Sequence, residues 1–190
     1  MHRLNWLAIA AILIALPGCV PMVAVGLGAG VLMGADRRTT GSYLEDTRIE
    51  SRAAKLIHEH YNKDTVHVNV TSFNRQALIT GEVPTEEDKA GIEKLISGEP
   101  NVAGISNELV VGPPGTYTSR SNDSLVTSNV KLRFVSNKVF QPDHVKVVTE
   151  NGVVFLMGLV YHKEADAAID LARNSKGASR VVTLFEFLDK

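Results

Sequence analysis

Only one cysteine, Cys19, stands among the 190 residues, so no disulfide can form within the chain and packing alone must hold the fold. Charge of one sign is also missing: 20 Lys and Arg face 21 Asp and Glu, and from Cys19 onward the net charge is −2. A nucleic-acid role needs a clear basic excess, and this balance excludes it. Catalytic spacing is lacking as well, with no Ser/His/Asp set, no phosphate loop and no metal-ligand pattern. His58 and His60 are two apart and diverge on a helix, while Glu86, Glu87 and Asp88 open a helix where acids complement the dipole. His67 and His144 precede strands at equivalent places and read as structural. The chain is therefore read as a non-enzyme with no cofactor and no metal.

What is present begins at the N-terminus. His2 and Arg3 form a short basic start, Leu4 to Leu16 is apolar, and Leu16-Pro17-Gly18-Cys19 follows. That order reads as an export signal, residues 1–18, ending in a lipobox that would acylate Cys19. The alternative is an uncleaved anchor, but the apolar run is shorter than the ~20 residues that a span needs. Pro17 departs from the usual lipobox residues, and Val20 stands where an aspartate would favour the inner membrane. The resemblance to bacterial lipoproteins implies lipid anchoring in the outer membrane, facing the periplasm. Residues 19–44 then form an apolar tether in which Gly26, Gly30 and Gly34 recur every four residues, either a plain tether or a small-residue helix face.

Sliding the chain along itself shows a repeat with a period of 77 residues. At that offset Asp46 meets Asp123, His67 meets His144, Asn74 meets Asn151, Gly81 meets Gly158 and Val83 meets Val160; near the end the offset drops to 76. Residues 45–112 and 119–190 are thus two copies of one domain, joined by a proline-stiffened linker at 113–118 that should keep them close.

Each copy reads as αββαβ. Asp46 and Asp123 are expected to cap a first helix whose inward positions are Ile49, Ala53 and Ile57, or Val126, Val130 and Phe134. Val66, Val68 and Val70, or Val145 and Val147, alternate as a strand, and Asn151-Gly152 suits a type I′ turn better than Asn74-Arg75 does. Gly81 and Gly158 are expected to end the returning strand where a helix passes close. Thr85-x-x-Asp88 opens the second helix, with His162 at the matching cap of the other copy, and strands Ile105–Val111 and Val181–Leu188 close the units. The expected class is α+β, two tandem domains, each a three-stranded mixed sheet with two helices on one face.

A capped amphipathic helix, V-x-V, a turn, L-I-T-G-E-V-P-T or F-L-M-G-L-V, a helix with E-x-x-x-A, and the closes Pro100–Ile105 and Lys176–Val181 together resemble the BON domains of bacterial envelope proteins. With the lipobox, the resemblance is to tandem-BON outer-membrane lipoproteins. It implies a role in outer-membrane integrity, through binding anionic phospholipids such as phosphatidylglycerol and cardiolipin, and gathering at division sites.

The two copies differ on the outer face of the first helix. Residues 45–111 carry a net −5 and residues 117–190 a net +2. Arg48, Ser51, Lys55, His58 and Asn62 of the first copy become Leu125, Ser128, Leu132, Val135 and Val139 in the second. A greasy outer face needs covering. Three coverings are open: lipid, with Lys131, Arg133 and Lys138 at headgroup level; the first domain; or an envelope protein partner for which this chain is an adaptor. The candidate phospholipid-binding residues are Leu125, Lys131, Leu132, Arg133, Val135, Lys138 and Val139.

Overall fold

The computed structural model describes residues 36–189, so the expected signal peptide, Cys19 and the glycine pattern lie outside the described residues. The first unit is α1 (Thr40–His60), β1 (His67–Phe73), β2 (Gln76–Val83), α2 (Glu86–Ser97), β3 (Gly104–Asn107) and β4 (Val110–Val111). The second is α3 (Tyr117–Ser136), a short 3-10 turn (Pro142–His144), β5 (Val145–Glu150), β6 (Val153–Val160), α4 (His162–Arg173) and β7 (Arg180–Phe187). In each sheet the middle strand pairs antiparallel with the first and parallel with the last. The class is α+β with two αββαβ units, as the sequence pattern implies, but only the second sheet has the expected three strands; in the first, the closing strand is split into β3 and β4, both paired with β2, so that sheet has four.

The helices begin earlier than the repeat suggests. Thr39 and Thr116 are the caps, accepting from Ser42 N and Ser119 N, so α1 starts inside the stretch assigned to the tether and the linker closes at Thr116. Asp46 and Asp123 are not caps of these helices. They are buried within them and reach across to the hairpin turns: Asp46 accepts from Asn74 N at 2.8 Å and Arg75 N at 2.7 Å, Asp123 from Asn151 N at 2.9 Å and Gly152 N at 2.7 Å. Both turns hold two residues at positive φ, Asn74 (49°) and Arg75 (66°) in one, Asn151 (50°) and Gly152 (74°) in the other. Their inward N–H groups have no ladder partner, and a buried carboxylate from the helix satisfies two donors at once. An aspartate serves at a cap or a turn for the same reason, so sequence alone does not separate the two.

The conserved pair of glycines also has a different cause from the one expected. A Cβ at Gly81 would lie 1.9 Å from the His67 carbonyl oxygen, and one at Gly158 would lie 2.5 Å from that of His144. The close neighbour is the start of the adjacent strand rather than a helix, and both strands continue past the glycine. Gly81 bends further, with φ 119°. Its partner lane breaks there: β3 pairs with Gln76–Ile79 and β4 with Glu82–Val83, leaving Glu108-Leu109 out of the ladder beside the bend. In the second unit β6 and β7 pair without a gap from Val153 to Val160. The last α-helix is capped from Tyr161, with His162 as its first residue, and Tyr161 N donates to the Glu164 carboxylate.

Two apolar cores lie under the helices. Ala53, Ile57, Ala77, Ile79, Ile92 and Ile96 form one, and Val126, Val130, Phe134, Val154, Leu156 and Ala168 form the other. A third lies between the sheets, where Phe73 and Leu78 meet Phe155 and Met157. The helix-free faces therefore bury each other, which explains why β2 and β6 are buried on nearly every residue. Burial of four large side chains, at about 1.5–3 kcal/mol each, holds the pair together. The polar rim is reciprocal: Asn74 of the first turn donates to Glu186 at 2.9 Å, and Asn151 of the second donates to Glu82. Arg37 and Arg38 strap the entry of the chain across both units, Arg37 to Glu164 (2.5 Å) and the Leu159 carbonyl, Arg38 to Asp46 (2.8 Å).

Candidate membrane-binding face

Helix α3 turns Asp123, Val126, Val130 and Phe134 inward, and Phe134 packs edge-on against Phe140 at 5.0 Å. That register forces the opposite side into solvent. Leu125, Leu132, Val135 and Val139 are 64, 65, 69 and 44% exposed, so no described part of the chain covers this face. The first unit is therefore not its lid, and its own apolar sheet face is used up against the other sheet. Lys131, Arg133 and Lys138 are exposed, with no carboxylate within 4.0 Å among the described residues. In α1, by contrast, Arg48 and Arg52 are tied to Glu45, and Lys55 to Glu59.

These seven residues do not form one compact pocket. Leu132 and Arg133 line a shallow groove with Ser136, Asn137 and Leu171 of α4. Leu125 sits about two turns away, beside Gly152, Lys176 and Gly177 at the hairpin end. Val139 falls outside the helix: Asn137 ends α3 and its Oδ1 accepts from Val139 N and Phe140 N, which turns the chain and leaves Val139 on a loop at the helix end. Leu171 is the contributor that the helix comparison passes over. At the 77-residue offset it replaces Lys94, the same polar-to-apolar exchange that marks α3.

A second polar cluster lies between the units. His67, Glu82 and Glu150 bring ligand-type atoms within 4.8 Å of one another. Their lone pairs are largely taken: Glu82 accepts from Gly115 N and Asn151, and Glu150 from Asn69 and Thr80. An Arg120 nitrogen is 3.4 Å from His67 Nδ1, where a metal-bound imidazole would carry its proton. The cluster thus fits an interdomain hydrogen-bond network better than a cation site. Burial, and then the nearby charge of Glu82, pushes the Glu150 carboxyl above its ordinary range. Burial also opposes ionisation of Glu164, but Arg37 and the Tyr161 N–H hold its carboxyl below the usual value.

The BON domain pattern matches residues 45–113 and again 122–189. The chain belongs to the BON family. It is 35% identical to "Outer membrane lipoprotein DolP" of Haemophilus influenzae, over 92% of this chain and 91% of that protein. It is 32% identical to the "21 kDa hemolysin" of Actinobacillus pleuropneumoniae, over 80% of this chain and 79% of that one. "Osmotically-inducible protein Y" of Escherichia coli is 24% identical over 80% of this chain and 78% of its own. The chain is a tandem-BON protein of the DolP type, and none of the three names describes an enzyme. The second BON domain carries the exposed apolar helix; the first presents a polar one.

Proposed function

We propose that this protein is a lipid-anchored component of the outer membrane, acylated at Cys19 and facing the periplasm, whose second BON domain binds anionic phospholipid through α3. One observation carries the reading: an apolar helix face left uncovered by the whole described chain and flanked by three cations without acidic partners, where the sister helix is polar and ion-paired. Apolar side chains can enter the headgroup boundary while Lys131, Arg133 and Lys138 stay at the phosphates, each adding about 1 kcal/mol beside an anionic surface. The acyl anchor would hold the domain at the bilayer, so a weak contact acts at high effective concentration. Among the described residues no helix is long and apolar enough to cross a membrane.

The test is flotation of unacylated residues 36–190, which contain both cores and the interface between them, with phosphatidylglycerol and with phosphatidylcholine vesicles. The parent chain floats with the anionic vesicles; Leu132→Glu stays folded and loses tenfold or more in affinity, while Lys55→Glu does not. A folded Leu132→Glu variant that still floats would refute the lipid assignment. A parent chain that ignores both vesicles turns the face toward an envelope protein partner. In cells the same reading makes the protein a contributor to outer-membrane integrity at division sites: Leu132→Glu should disperse a fluorescent fusion from mid-cell and raise detergent sensitivity.

A further inference from the structure

Resting on the lipid reading, the topology says which end of α3 meets the bilayer. Asp123 of α3 bonds the Asn151-Gly152 turn, so the N-terminal half of the helix lies at the hairpin end of the second BON domain. The chain leaves α3 through Phe140 and the Pro142–His144 turn into Val145, which pairs with Gly158. The helix's C-terminal end therefore lies at the opposite end, with the close of β6, the start of α4 and the close of β7, where Val160 pairs with Phe187. The chain also enters there, because Arg37 donates to the Leu159 carbonyl and to Glu164. Residues 19–35, with the proposed acylation site Cys19, join the domain by this route.

The same end presents two exposed rings at the closes of neighbouring strands. Phe187 is 50% exposed and stacks on His162 at 4.1 Å, and Tyr161 is 39% exposed with the Arg37 guanidinium over its ring at 5.0 Å. Lys138 and the exposed Lys163 face Asp143 and Asp189 here, so charge is nearly balanced and the attraction at this end is chiefly apolar. Among the described residues the hairpin end has a single exposed ring, Tyr117 at 85% with the Arg120 guanidinium over it at 4.5 Å, and surrounds Leu125 with exposed Lys176, Ser121, Asn122, Ser124 and Ser128. A helix of 20 residues spans roughly 30 Å, several times the depth of an interfacial contact, so its two ends need not share one depth.

We infer that the tether-entry end of the second BON domain is itself a bilayer-contacting surface, in which Tyr161, Phe187 and Val139 enter the lipid interface together with the C-terminal half of α3, while Leu125 stays in water. Aromatic rings with a polar flank suit the headgroup level.

Single tryptophans measure it directly. In the mature acylated protein, which begins at Cys19 and so carries no tryptophan of its own, reconstituted in phosphatidylglycerol-containing vesicles with chain-brominated lipid, Phe187→Trp and Val139→Trp should be quenched at least twofold more than Leu125→Trp. Tyr161→Trp gives a second reading should Phe187→Trp disturb the His162 stack. Equal quenching of Leu125→Trp and Val139→Trp with none at positions 161 and 187 means that the helix lies flat: the inference fails and the lipid reading survives. No quenching at any position removes both.

Discussion

The two BON domains share the αββαβ order yet spend their surfaces differently. In the first, the helix exterior is polar and cross-tied by Arg48, Arg52, Glu45 and Glu99, the turn carries Arg75 at positive φ, and Gly81 breaks the third strand lane. In the second, the turn has glycine at the equivalent place, the sheet is continuous, and the helix exterior is apolar with unpaired cations. Positions that face a core are held to one chemical type in both copies, whereas outward positions have drifted to opposite types. The fold constrains only what it buries, so an apolar outer face stands on one copy without cost to either core.

Substitutions at matched positions put this contrast under strain, and the largest effect is expected at the glycines. Gly81→Ala forces a Cβ into the His67 carbonyl at a φ of 119°, so the first domain should lose roughly 3 kcal/mol or more, since strain of this kind costs about 1–3 kcal/mol before the clash is counted. Gly158→Ala, with a 2.5 Å approach and no positive φ, should lose less. Urea unfolding of each variant ranks them, and equal losses would mean that the bend at Gly81 carries no strain of its own.

Next come the buried aspartates. Asp46→Ala leaves two turn N–H groups and the Ser72 hydroxyl without their acceptor and strips Arg38 of a partner, whereas Asp123→Ala leaves two N–H groups. At about 1–3 kcal/mol for each unsatisfied buried donor, both should destabilise by several kcal/mol, Asp46→Ala more. Amide exchange at residues 74, 75, 151 and 152 localises the damage.

The period of 77 was legible by comparing the chain with itself, and the alternating valines, the Thr85 cap and the Asn151-Gly152 turn because each depends on contacts a few residues apart. The aspartates were misplaced because their partners lie 28 and 29 residues away, a distance that no local pattern encodes. The sheet-on-sheet packing left a trace in the nearly unbroken apolar run Val153–Met157, which suits a strand covered on both faces, but a hairpin arm shows the same run. For the candidate site, exposure of Leu125, Leu132 and Val135 followed from helical period alone. Val139 did not, since Asn137 ends the helix through its own side chain.

A smaller effect is expected at the first turn. Arg75→Gly removes a side chain held at φ 66° and should stabilise the first domain by up to about 1 kcal/mol, bringing its turn level with the second; thermal melts suffice to check it. Smallest is the pH response of the interface. Glu164, held low by Arg37, contributes stability that is complete above its unfolded pKa and is lost as pH falls through the folded value, so Arg37→Ala should move acid unfolding to higher pH. Glu150 has the opposite sign: raised by burial, it favours the folded state most below its unfolded pKa and loses that advantage as pH rises through the folded one. Glu150→Gln retains an acceptor for Asn69 and should flatten that part of the pH–stability curve by less than about 1 kcal/mol.

Each hairpin asparagine seats on a glutamate of the other domain, but the two glutamates, Glu186 and Glu82, are not positions that the repeat pairs, whereas two subunits of a homodimer would have to use one residue twice. Had the domains stayed separate chains, every surface change would have appeared twice, and a greasy helix would have projected from both sides, able to bridge two bilayers or to pair with its own copies. Joining the copies through a short linker released them from symmetry. On the proposed lipid reading one half is adhesive while the other keeps a charge-laced helix exterior, a direction that an equivalent pair of subunits could not have.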